Sequence, residues 1–117
     1  MVELLVASTI LTVGIVASLV VYSTASNLRR TAAETRTASA VLGNLFETMR
    51  PLTTAEVAAD YADGAAIPVD EPILRGLAVS VDQNGFVVGD TSLEMTLTAT
   101  WTTFNGGQRT ISFDTVF

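Results

Sequence analysis

Glu3 is the residue whose chemistry and position stand out. It is the only charge in the first 22 residues, and residues 4–22, LLVASTILTVGIVASLVVY, follow it without another. A carboxylate at the rim of an apolar helix is costly to bury alone, so such residues are functional candidates. Two roles are open to it: meeting a buried positive charge, or resting at the headgroup level where the helix dipole favours an anion. Other carboxylate pairs, Asp60 with Asp63 and Asp70 with Glu71, fall in a stretch that reads mostly as loop, with no third group placed to orient them. Neither the run from Asp60 to Gly64 nor that from Asp82 to Asp90 supplies the alternating acids around a Gly that a calcium loop needs. The chain has no Cys, His or Lys. That excludes zinc sites built on Cys or His, Ser-His-Asp and Cys-His nucleophiles, and Schiff-base or P-loop lysines. Neither enzyme activity nor a metal or cofactor is expected.

The element that carries Glu3 is a helix. Nineteen uncharged residues at about 1.5 Å each cover roughly 28 Å, close to the ~30 Å apolar thickness of a bilayer. Apolar residues occur on every side of it, so every side needs lipid or protein. The hydroxyls of Ser8, Thr9, Thr12 and Ser18 can bond back to helix carbonyls. Gly14 is the one helix-weakening residue, at about 1 kcal/mol relative to Ala. Met1-Val2-Glu3 puts an acid where a secretory signal needs a basic segment, so the helix is read as retained. Arg29 and Arg30 follow the span and nothing basic precedes it, which alone would place the C-terminal part in the cytoplasm; a basic leader, already removed, would reverse that.

With 117 residues the chain has room for one domain, and its formal net charge is -6. An acidic chain is a poor general nucleic-acid ligand, although Arg29, Arg30, Arg36 and Arg50 cluster on the predicted helix. From residue 23 to 50 the helix continues in amphipathic form. Ala38, Val41, Leu42, Leu45, Phe46 and Met49 keep the 3, 4 spacing of one face, with Glu34, Asn44, Glu47 and Arg50 read as largely off it. No heptad is sustained there over three repeats, which argues against a coiled coil. Pro51 ends the helix. Thr53 and Glu56 have capping-box spacing, predicting a short helix over about 54–61. Asp63-Gly64 is a turn, and residues 63–76 read as loop.

The C-terminal third alternates. Leu77, Val79 and Val81 form one strand face; Gln83-Asn84-Gly85 reads as a hairpin turn, with Phe86 to Val88 beginning the return strand. Leu93, Met95, Leu97, Ala99 and Trp101 alternate with Glu94 and four threonines. Asn105-Gly106-Gly107 turns the chain into a last strand carrying Ile111, Phe113 and Phe117. The expected fold is α+β: one long N-terminal helix, packed by its C-terminal half on an antiparallel sheet of about four strands. Its parts are an apolar helix (1–22), an amphipathic continuation (23–50) and a globular region (51–117). Val41, Leu42, Leu45, Phe46, Met49, Leu97, Trp101 and Phe113 form the expected helix–sheet core, with the Thr-rich face in solvent.

The run VELLVASTILTVGIVAS resembles the N-terminus of mature type IV pilins and type II secretion pseudopilins: an apolar residue, Glu, Leu-Leu-Val and a long apolar helix. The resemblance covers about 50 residues. It implies a cleaved leader ending in Gly, a methylated N-terminus, and Glu3 paired with the terminal amine of a neighbouring subunit. Two points depart from the family. Its Glu is usually the fifth mature residue, so two residues would precede Met1, and a common Pro is replaced by Val20. The closing run TATWTTFNGGQRTISFDTVF is similar to the ends of minor pilins. The resemblance implies a filament core built from Leu4, Leu5, Val6, Ile10, Leu11, Val13, Val16 and Leu19, with Gly14 giving local flexibility. The implied partners are other copies or other pilins, the inner membrane before assembly, prepilin peptidase and the assembly machinery. After assembly the protein would lie in a cell-surface filament or periplasmic pseudopilus. The rival reading is a bitopic membrane protein whose small extracytoplasmic domain binds a partner and never polymerises.

Overall fold

The computed structural model describes residues 1–85, 87 and 91–117. Six elements follow one another: α1 (Val2–Met49), α2 (Thr54–Asp60), β1 (Ala66–Ile67), β2 (Arg75–Asp82), β3 (Glu94–Thr102) and β4 (Gln108–Val116). The chain divides into two compact units, Met1–Ala33 and Glu34–Phe117. The architecture is α+β, with one long helix and a four-stranded sheet in the order β1-β2-β3-β4, antiparallel throughout.

The first unit is the N-terminal part of α1. Five of its hydroxyl side chains close onto the helix itself: Ser8 and Thr9 donate to the Leu5 carbonyl, Thr12 to Ser8, Ser18 to Gly14 and Thr24 to Val20, all at 2.8–2.9 Å. The apolar helix can carry these five because each hydroxyl has an acceptor within the helix. The helix runs without a break through Gly14 and Val20.

In the second unit the register of the sheet sorts the side chains. Val81, Leu97 and Phe113 stand in one row across β2, β3 and β4, and Val79, Ala99 and Ile111 in the next. These rows share a face with Met95 and Trp101. The other face carries rows of Ser80, Thr98 and Ser112, and of Ala78, Thr100 and Thr110. Burial follows the pleat: along β3, Met95, Leu97, Ala99 and Trp101 are buried while Glu94 is exposed and the threonines are half-exposed. Leu42, Met49 and Val57 from the two helices join Val79, Val81, Leu93, Met95, Leu97 and Ala99 in one buried cluster. Val41, Leu45, Phe46 and Phe113 pack against it partly buried. The rings of Phe46 and Phe113 stack with centroids 6.3 Å apart.

Four details differ from the sequence reading. The stretch 63–76 is not all loop. Ala66–Ile67 pairs with Val79 and Ser80, and β2 starts two residues early, at Arg75, with an irregularity between Arg75 and Ala78. A two-residue strand has no alternation to read, and Gly76, at φ +62°, supplies the left-handed turn that offsets the register. The return strand expected over Phe86 to Val88 falls partly on Phe86 and Val88, outside the described residues; Val87 lies in no strand, and β2 pairs with β3 beginning at the Asp82–Thr96 pair. α1 ends at Met49, so Arg50 follows the helix instead of lying on it, its N–H still donating to the Phe46 carbonyl at 2.9 Å. Finally, Glu34 belongs to the buried stripe, as described below.

Candidate assembly surface

The surface formed by the N-terminal helix begins at Glu3, an acid in the first turn of α1. Its side chain is exposed, and its position suits the positive end of the helix dipole. Beyond it, Leu4, Leu5, Val6, Ile10, Leu11, Val13, Val16 and Leu19 are each more than half exposed. This is the one helix long and apolar enough to cross a membrane among the described residues. Burying a Leu, Ile or Val side chain contributes about 1.5–3 kcal/mol, so an entire helix circumference left uncovered demands lipid or other protein. Ile10, Leu11, Gly14, Ile15, Ser18, Leu19 and Tyr22 lie together along one side, around a shallow, solvent-open depression. A Cβ built at Gly14 would meet nothing within 4 Å, so this part of the side is open.

In the second unit, three polar constellations went unread in the sequence. The first is Glu34. It is buried (8% exposed) and its Oε1 accepts the Phe104 N–H at 3.4 Å. Stepping back by four from Leu42 and Ala38 lands on Glu34, so the helix stripe extends one turn further than its apolar residues indicate. The second is Gln83, read as a turn residue but buried to the same extent. Its side-chain amide donates to the Ala58 carbonyl at 3.1 Å and to the Tyr61 carbonyl, while its backbone N–H donates to Asp63 Oδ1 at 3.1 Å. A side chain that caps free carbonyls at a helix end leaves no periodic trace. The third lies on the outer sheet face, where Asn84 Nδ2 donates to Thr96 Oγ1 at 3.3 Å and Thr96 donates to Asp114 Oδ1 at 2.8 Å.

Trp101 is 2% exposed and packs with Ala38, Leu74, Leu77 and Ile111; its Nε1 has no acceptor among the described residues. Two carboxylates of the 60–71 stretch accept from backbone: Asp63 from Gln83, and Glu71 Oε1 from the Ile73 N–H at 3.4 Å. Among the described residues no three His, Cys, Asp or Glu side chains converge on a point. At Glu56 the backbone N–H and hydroxyl of Thr53 hold the carboxyl below the ordinary glutamate value.

No protein-family model matches the chain, and the searches of curated proteins and of solved structures return no match.

Proposed function

We propose that this chain is a structural subunit of a type IV pilus-like filament that polymerises through its N-terminal helix. The observation that carries the reading is a single acid, Glu3, at the head of an uncharged span, residues 4–22, whose large apolar side chains are exposed. Before assembly that helix sits in the inner membrane. On assembly it exchanges lipid for the helices of other subunits, and Glu3 neutralises a neighbouring N-terminal amine and sets the axial register. The internally satisfied hydroxyls of Ser8, Thr9, Thr12 and Ser18 support this, since they permit burial of every side of the helix. So does the resemblance of VELLVASTILTVGIVAS to mature pilins. Prepilin peptidase and the assembly machinery are the proposed processing partners, and the filament or pseudopilus is the proposed destination.

The test is intact mass and N-terminal sequencing of the native protein, together with electron microscopy of Glu3→Ala cells. A methylated terminus with two residues ahead of Met1, and loss of filaments in the variant with the second unit still folded, support the reading. Normal filaments from Glu3→Ala would sink the register role. An unprocessed terminus and no filaments would favour a bitopic membrane protein with a small binding domain.

A further inference from the structure

The exposed face of the first unit is self-complementary in one orientation only. Leu4, Leu11, Ser18 and Ala25 alternate with Ala7, Gly14, Val21 and Leu28 at 3, 4 spacing, which places them along one side of α1. Glu3 and Arg29 bracket that side. Both are exposed, and neither is engaged in an ion pair among the described residues. Gly14, whose absent Cβ leaves open space, lies near its middle.

Two copies laid side by side can run parallel or antiparallel. A parallel, in-register pair sets Glu3 against Glu3 and Arg29 against Arg29, which repel. An antiparallel pair with its two-fold axis level with Val16 sets Glu3 beside the second copy's Arg29, at both ends. The same axis matches sizes. Gly14 meets Ser18 at the centre, Ala7 meets Ala25 further out, and the larger Leu11 and Leu4 meet Val21 and Leu28. Small residues facing small ones let helix axes approach to about 8 Å. The Ser18 hydroxyl can enter such a contact because it already donates to the Gly14 carbonyl at 2.8 Å. Every contact occurs twice, as an isologous interface requires.

We infer that the occupant of this face is a second copy of the same helix, running antiparallel, with Glu3 and Arg29 paired at each end. Copies inserted in one bilayer with the same orientation present parallel helices, so this dimer belongs to subunits released from the bilayer, with detergent or further protein covering the remaining sides of each helix. The inference rests on the helix surface and not on the filament reading. In the dimer Glu3 is occupied, so pairing and polymerisation through Glu3 exclude each other.

The chain has no native cysteine, which makes disulfide trapping direct. Full-length Ala7→Cys and Ala25→Cys proteins, dispersed in detergent micelles, are oxidised separately and as a mixture. The expected product is the mixed Ala7→Cys/Ala25→Cys disulfide, with little cross-linking of either variant alone. Cross-linking of each variant with itself, at or above the mixed yield, would mean parallel pairing and overturn the proposal; so would monomer throughout. Glu3→Arg should lower the mixed yield by about threefold, the scale of exposed ion pairs, and adding Arg29→Glu should restore it. No recovery in the doubly exchanged protein would remove the charge pairing. Filament formation by native cells is a separate readout, so either conclusion can fail without the other.

Discussion

The Phe104 N–H donates to Glu34 Oε1 at 3.4 Å, joining residues seventy positions apart and tying the β3–β4 turn to α1. The turn itself is closed by Thr103 N–H to the Gly107 carbonyl at 2.7 Å and Gly106 N–H to the Thr103 carbonyl at 2.9 Å. Glu34 is an acceptor inside a largely apolar stripe, beside Ala38 and the Trp101 pocket. Glu34→Ala is expected to destabilise the protein by about 1–2 kcal/mol through loss of this acceptor. Glu34→Gln keeps a carbonyl oxygen in place and should cost less. Chemical denaturation of both variants measures the difference, and equal losses would show that the charge, not the acceptor, matters.

Gln83 is the larger polar commitment. It ties the end of α2 to the end of β2 with two side-chain donations, to the Ala58 and Tyr61 carbonyls. Removing a buried donor leaves its acceptors unmet at about 1–3 kcal/mol. Gln83→Ala should therefore lower the denaturation midpoint with little change in its slope, and amides of α2 should exchange faster with solvent than those of β3.

The Thr53–Glu56 capping box gives a pH dependence. Glu56 Oε2 accepts from both the N–H and the hydroxyl of Thr53 at 2.8 Å, so its carboxyl sits below the ordinary glutamate value when folded. A depressed folded value means the stabilisation is fully present above the unfolded value of about 4.3 and is lost as pH falls through the folded one. Glu56→Gln keeps a capping acceptor but does not titrate. Its stability relative to the native chain should improve as pH falls from the unfolded value through the folded one, and level off below both. A constant difference from neutral pH to acid would refute the linkage.

Leu97 is fully buried in the middle of β3, between Val81 and Phe113. Leu97→Ala leaves a cavity in the centre of the sheet face and should cost about 2–5 kcal/mol. Thr98→Ala, its neighbour on the opposite face, should change stability by less than about 1 kcal/mol. Thermal unfolding of the pair tests whether the core lies on the Leu97 side.

Periodicity and punctuation determined much of this fold from the sequence alone. The uncharged run after Glu3, the 3, 4 spacing from Ala38 to Met49, and the period of two from Leu93 to Trp101 each reflect a face that needs burial, and burial is written in hydrophobicity. The Thr53–Glu56 cap was legible because both partners lie within one helical turn. Tertiary structure alone decided the rest. Ala66–Ile67 became a strand only because β2 offered its edge. Glu34 is buried because a turn seventy residues away supplies a donor, and Gln83 is buried because α2 ends beside it. Such roles depend on where distant backbone groups come to lie, and the identity of a polar residue does not encode its partner.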